Sequence, residues 1–267
     1  MPKDYIDQIN KIVEIFVASE CELRPHFFLT GESGSGKSFQ IAKLADKYDI
    51  GYLEINAAQL TKEGTSGNSL SKALAPLTNF QHRPTICFVD EFDKLFISGN
   101  SNSSMAHEST NGVQNEFLKV LESDTASVFG DYGKYVNISV KHVLFVFAGA
   151  FNGEQDIDLD RLRELGLKTE FLGRVGLTYS TNKVTLEELI NTMKKSFQLE
   201  TYLELFSDVK PKDVETTLTK QLTDSYDKNT LGYRMITTLI NQYFIGGEPD
   251  NEAEAKKVTF QRKLILE

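Results

Sequence analysis

The chain of 267 residues is poor in three things, and each scarcity excludes something. No run of about 18 apolar residues occurs, so no transmembrane helix is expected. The opening stretch "MPKDYIDQINKIVEIFVASE" is acidic and amphipathic and lacks the charged-then-apolar layout of a signal peptide. Cysteine appears twice, as Cys21 and Cys87, with no motif spacing; Cys87 lies in an apolar run where a buried reduced thiol is expected, which fits a reducing cytoplasm. Basic charge is outweighed: 29 Lys and Arg against 38 Asp and Glu give a formal net charge of -9. Such a chain has no long-range electrostatic help in binding nucleic acid, although a local basic patch would still be compatible. No internal repeat is visible.

What is present is ordinary for a globular protein, 40% hydrophobic and 25% charged residues. Tyr5 to Ala18 carries apolar residues at helical spacing. Four runs, "HFFLT", "GYLEI", "TICFV" and "HVLFVF", are continuously apolar, as strands of a parallel sheet covered on both faces are. Helical stretches such as "GVQNEFLKVLES" lie between them. Alternating strand and helix signals predict a doubly wound α/β domain. After about Thr181 helical patterns dominate. Thr185 followed by Glu188 forms a capping-box pattern, "GYRMITTLINQYF" (Gly232 to Phe244) reads as a helix, and the tail "KKVTFQRKLILE" alternates as a strand would. The expected division is therefore 1–181, a large α/β domain, and 182–267, a small, mostly helical one. The polar stretch Ser98 to Gly112 is expected to be a mobile loop.

Two motifs carry the chemistry. "TGESGSGKSF" completes G-x-x-x-x-G-K-[ST] between an apolar strand and a helix, which makes Gly31, Glu32, Ser33, Gly34, Ser35, Gly36, Lys37, Ser38 and Phe39 the nucleotide-binding segment. Glycines let main-chain N–H groups converge on phosphate oxygens. The helix opening near Lys37 points its positive end at the same anion. Lys37 reaches the terminal phosphates and Ser38 offers a hydroxyl to Mg²⁺. "TICFVDEFDKLF" supplies the complement, an apolar strand ending in Asp90 and Glu91. Asp90 would hold the Mg²⁺ shell; Glu91 would orient and deprotonate an attacking water, which favours ATP hydrolysis over transfer to a second substrate.

Five blocks in order, "FVDEFDKL", "GVQNEFLKVLES", "VLFVFAGAF", "GLKTEFLGRV" and "LGYRMITTLI", resemble the ClpX-type AAA+ unfoldases and the related HslU, across most of Phe27 to Phe244. The resemblance implies an ATP- and Mg²⁺-dependent ATPase working as a homo-oligomeric ring, a hexamer. It makes Arg174 in "FLGR" an arginine finger reaching a neighbouring subunit's γ-phosphate, although a surface salt bridge would leave the same sequence. It makes Arg234 in "GYR" a second-sensor arginine coupling hydrolysis to lid rotation, although a plain helix-surface arginine reads the same. Asn152 is the nearest polar candidate for a first sensor, with a turn residue the favoured alternative.

The departures from that family matter. Its Gly-aromatic-hydrophobic-Gly pore loop is matched by Gly64, Thr65, Ser66 and Gly67, with the aromatic lost and the grip correspondingly weakened. Tyr132 and Tyr135 are candidate substitutes, with turn packing as the commoner role for such tyrosines. No amino-terminal zinc domain, and so no client recruitment by that route, is expected; the family's long insertion after Phe151, which carries its peptidase-docking loop, has no match here, so no ClpP-type peptidase partner is expected. The expected function is remodelling or disassembly of protein clients, recruited directly or by an adaptor. The alternatives are a nucleic-acid motor or loader, disfavoured by charge, and an ATP-gated assembly scaffold that threads nothing. No membrane partner is expected.

Overall fold

The computed structural model describes residues 5–64, 67–80, 82–97, 104–130, 133–206 and 209–246, with backbone only for 104–110. The expected strand in the C-terminal tail, the loop tip Thr65–Ser66, and Tyr132 lie outside the described residues. By their contacts the described residues form two units, 5–32 with 37–181, and 33–36 with 182–246.

The first unit is α/β. Its strands are β1 (Phe27–Thr30), β2 (Gly51–Asn56), β3 (Thr85–Asp90), β4 (Thr125–Phe129), β5 (Tyr135–Ser139), β6 (Val143–Gly149) and β7 (Leu177–Ser180). Five of them form one sheet in the order β2-β3-β6-β1-β7, and every pairing in it is parallel. The four apolar runs are the four strands β1, β2, β3 and β6. All seven residues of β6, in the middle of the sheet, are buried, which is why that run cannot afford a polar alternation.

Two apolar layers close the sheet. One packs Phe27, Leu29, Phe88 and Val146 against the helices Tyr5–Ala18 and Lys37–Lys47. The other is phenylalanine-rich: Phe147 lies 4.7 Å from Phe92, 5.0 Å from Phe171 and 5.6 Å from Phe117, centroid to centroid. Rings at these separations and tilts add contact beyond the area that they bury.

Three features differ from the expectations. Residues 104–112 are not a loop but the start of the helix Ser104–Glu122. A helix satisfies its own main chain whatever its side chains, so a polar composition alone does not make a loop. A fifth parallel strand, β7, flanks β1; its "LTYS" is short and half-exposed and carries no apolar run. Of "FGDYGKYV", Phe129 ends β4 and Tyr135 begins β5, an antiparallel pair in register Phe129↔Tyr135.

The second unit holds the helices Leu186–Lys194, Phe197–Leu205, Pro211–Ser225 and Arg234–Gly246 around a core that includes Leu189, Leu218, Leu222 and Ile240. The capping box is formed in full: Thr185 Oγ1 accepts from the Glu188 N–H at 3.2 Å, and Glu188 accepts from the Thr185 N–H at 2.8 Å.

Candidate functional site

The parallel sheet decides where the chemistry sits, because side chains at the carboxyl ends of its strands all emerge at one edge. β1 ends at Thr30 and runs directly into Gly31, whose φ of +144° is open only to glycine. A Cβ at Gly31 would lie 1.8 Å from the Thr181 Oγ1, just beyond β7. Gly34 and Gly36 also have positive φ, +76° and +85°. The loop then enters the helix Lys37–Lys47. Lys37 is buried, with its ammonium folded back onto the loop: Nζ donates to the carbonyls of Gly31 at 2.7 Å and Glu32 at 3.0 Å. Ser35 is also buried, whereas Phe39 is 71% exposed.

The carboxylates arrive from β3. Across β6, β3 stands two strand spacings, roughly 10 Å, from β1. Asp90 is its last residue, and its Oδ1 accepts from the Glu91 N–H at 2.8 Å. Glu91 is exposed and left-handed, φ 54° and ψ 30°. A non-glycine residue held there costs on the order of 1–3 kcal/mol, a strain typical of working sites. Below it Asp93, 1% exposed, accepts from the Phe151 N–H at 3.2 Å and meets the Lys94 ammonium at 3.6 Å. Sequence reading passed over Asp93; its signal was the third acid of "DEFD". It ties the turn after β3 to the turn after β6. Asn152 sits in that second turn with a left-handed φ of 57°.

The two arginines fall in different units. Arg174 follows the short helix Thr169–Leu172 and pairs with Glu122, Nη2 to Oε1 2.6 Å, both side chains partly exposed. Within its own chain it therefore has a partner other than the phosphate loop. In the second unit, which includes 33–36, the Tyr233 N–H donates to the Gly34 carbonyl at 2.9 Å and Arg234 Nη1 donates to the Ser33 Oγ at 3.0 Å.

The residues present fit a nucleotide with a divalent cation. A buried ammonium already occupies carbonyl oxygens at the mouth of a glycine loop, and Ser38 and Asp90 are hard oxygen donors of the kind that such a cation takes. Cys21 and Cys87 are unpaired, and burial pushes the Cys87 thiol far up, away from reactivity. Among the described residues no helix is long and apolar enough to cross a membrane.

Comparison with known proteins agrees. The profile of the family described as "ATPase family associated with various cellular activities (AAA)" matches residues 27–167. The chain is similar to the ATP-dependent Clp protease ATP-binding subunit ClpX of Treponema denticola, 24% identical over 91% of this chain and 69% of that protein. It is 28% identical to the ClpX of Borrelia duttonii over 68% of this chain and 47% of that protein. For the ClpX of Porphyromonas gingivalis the figures are 28%, 49% and 34%. The chain thus spans about half the length of the Borrelia relative and a third of the Porphyromonas one.

Proposed function

The chain belongs to the ATPase family associated with various cellular activities, on its ClpX-like branch, and from that premise we propose that it hydrolyses ATP as a ring of identical subunits and uses the cycle to remodel protein clients. The observation that carries this reading is the pairing at one sheet edge of a positive-φ glycine loop holding a buried Lys37 with the strand-end carboxylates Asp90 and Glu91.

Each residue has a distinct part. The main chain from Gly31 to Phe39 cradles the phosphates, and Lys37 exchanges the Gly31 and Glu32 carbonyls for phosphate oxygens. Ser38 and Asp90 would hold Mg²⁺, which supplies charge neutralisation between the phosphates. Glu91 aligns water and takes its proton. Arg174 leaves Glu122 to stabilise transition-state charge in a neighbour's site, and Arg234 reads the nucleotide from the lid. We take 1–181 as the nucleotide-binding body, 182–267 as the lid, and six as the ring number. Between Phe151 and Leu167 the chain spends its length on one tight turn and the helix Leu159–Glu164, which supports action without a ClpP-type peptidase. Unpaired cysteines support a cytoplasmic location.

Mixing subunits tests this. Glu91→Gln and Arg174→Ala proteins are each expected to lose about 10³-fold or more in ATP turnover. An equimolar mixture recovers turnover, because an intact finger then faces an intact site. Mixed oligomers that stay inactive would overturn the neighbour-supplied finger and with it the ring mechanism. An ATP-gated scaffold is favoured instead if turnover is normal but unfolded casein leaves its rate unchanged, as the Gly64-Thr65-Ser66-Gly67 loop without its aromatic allows.

A further inference from the structure

The glycine loop leaves from the carboxyl ends of the strands; at their amino ends the first unit holds a cavity of about 710 Å³. Residues just ahead of four strands line it: Arg24 before β1, Pro84 before β3, Asp124 before β4 and His142 before β6. None of them has a part in the proposed ATP cycle. Pockets of about 300–1,000 Å³ are usual for small organic ligands.

The inner lining is cationic and incompletely satisfied. His142 is 7% exposed, and its Nε2 is buried without a hydrogen-bond partner among the described residues. A buried ring nitrogen left unpaired carries its desolvation cost in full, and a ligand group bonded to it recovers that cost. Burial first, then the neighbouring His82 and Arg24, hold the His142 pKa below its ordinary value, so the ring sits in positive potential. Arg24 donates Nη1–H to the Val140 carbonyl at 3.0 Å, while its Nη2 stands 3.9 Å from the Asp124 carboxylate, too far for a hydrogen bond. That edge of the guanidinium is open to a second anion. The outer lining carries the opposite sign. Glu20 and Glu22 are both exposed and form no ion pair among the described residues, whereas Asp124 is held by Lys141 at 3.2 Å. Carboxylates at the mouth repel a polyanion such as nucleic acid or a nucleoside triphosphate. A small ligand with one anionic and one cationic group meets both ends.

We propose that this cavity is a second ligand site, for a small zwitterion whose carboxylate or phosphate enters between Arg24 and His142 and whose ammonium group faces Glu20 and Glu22. The anion takes a charge-assisted bond from Arg24 and gives His142 Nε2, as an N–H donor, the partner that it lacks. The ligand then joins the segments ahead of β1, β3 and β6, and stabilises the fold by mass action. The proposal is independent of the ATP cycle: a chain that binds no nucleotide leaves it standing.

The test uses the full chain with two probes, β-alanine and phosphoethanolamine, which share an ammonium group and differ in the anion. Calorimetry reads binding with and without saturating ADP, and the Cε1–H resonances of the four histidines report where the probe sits. The expected result is a dissociation constant of about 1 mM or tighter for at least one probe, unchanged by ADP, with a shift of the His142 resonance. Tighter binding of β-alanine marks a carboxylate ligand, and of phosphoethanolamine a phosphate ligand. His142→Phe weakens binding about tenfold or more. Glu20→Gln with Glu22→Gln weakens both probes and spares propionate and ethyl phosphate, which lack the ammonium. If His142→Phe loses its cooperative melt, the exposed glutamate pair is read alone. The proposal is overturned if neither probe binds, if ADP removes the binding and so places the probe in the glycine loop, or if binding survives the substitutions.

Discussion

Every residue of β6 is buried, whereas β5 buries Ile138 and exposes Tyr135, Val136 and Asn137. The two strands belong to one unit, yet different forces hold them. β6 is clasped by β1 and β3 and covered by apolar layers on both faces, so dispersion and the hydrophobic effect fix its place. β5 has a single partner, β4, and its tip is located by polar bonds such as Tyr135 to Glu63. The central sheet is thus the platform from which the glycine loop and the acids emerge. The β4–β5 pair is rooted in the same apolar layer by Ala126, Val128 and Ile138, and only its tip, at Tyr135 and Val136, is an attachment outside the core.

That contrast can be broken by substitution. The largest effect is expected at its centre: Phe147→Ala removes a fully buried ring with four described aromatic neighbours besides the adjacent Phe145 side of the sheet, and urea unfolding should show a loss of about 4 kcal/mol. Gly31→Ala comes next. A Cβ 1.8 Å from Thr181 Oγ1 on a backbone at φ +144° should cost about 3 kcal/mol in the same measurement and abolish ATP binding. Both results failing together would mean that the platform is not rigid.

A third experiment sharpens the point with pH. His26, at the head of β1, is buried, and its Nδ1 accepts from the Phe145 N–H at 3.0 Å. Burial, with help from Arg24, lowers its pKa to about 3. The unfolded chain therefore takes up a proton below the ordinary histidine pKa that the folded chain refuses. Stability is full above about pH 6.5 and falls as pH drops toward 3, by about 1 kcal/mol between pH 6 and 5. His26→Gln, which keeps an acceptor, should lack that part of the acid loss; an unchanged slope would show that His26 titrates freely. The smallest effect belongs to the attachment. Val136→Thr, at a position 47% exposed, should shift unfolding by less than about 0.5 kcal/mol, and a larger loss would make β5 part of the platform after all.

Sequence alone determined the features that local chemistry dictates. The apolar runs specified β1, β3 and β6, strands covered on both faces, and also β2, although that strand lies at the sheet edge and is only partly buried. The glycine spacing specified a turn with left-handed glycines between β1 and the helix Lys37–Lys47, and Thr185 with Glu188 a helix start, because both depend on residues a few positions apart. Tertiary structure decided the rest. β7 has no apolar run of its own and exists because β1 offers it an edge. Residues 104–112 are polar, and belong to a helix whose later turns pack on Phe92 and Phe147. The left-handed Glu91, the Arg174–Glu122 pair and the bond from Glu63 to Glu116 join positions that are remote in sequence or that depend on the turn's surroundings. A contact of that kind leaves no periodicity to read, because its energy is gained only when folding brings the two groups together.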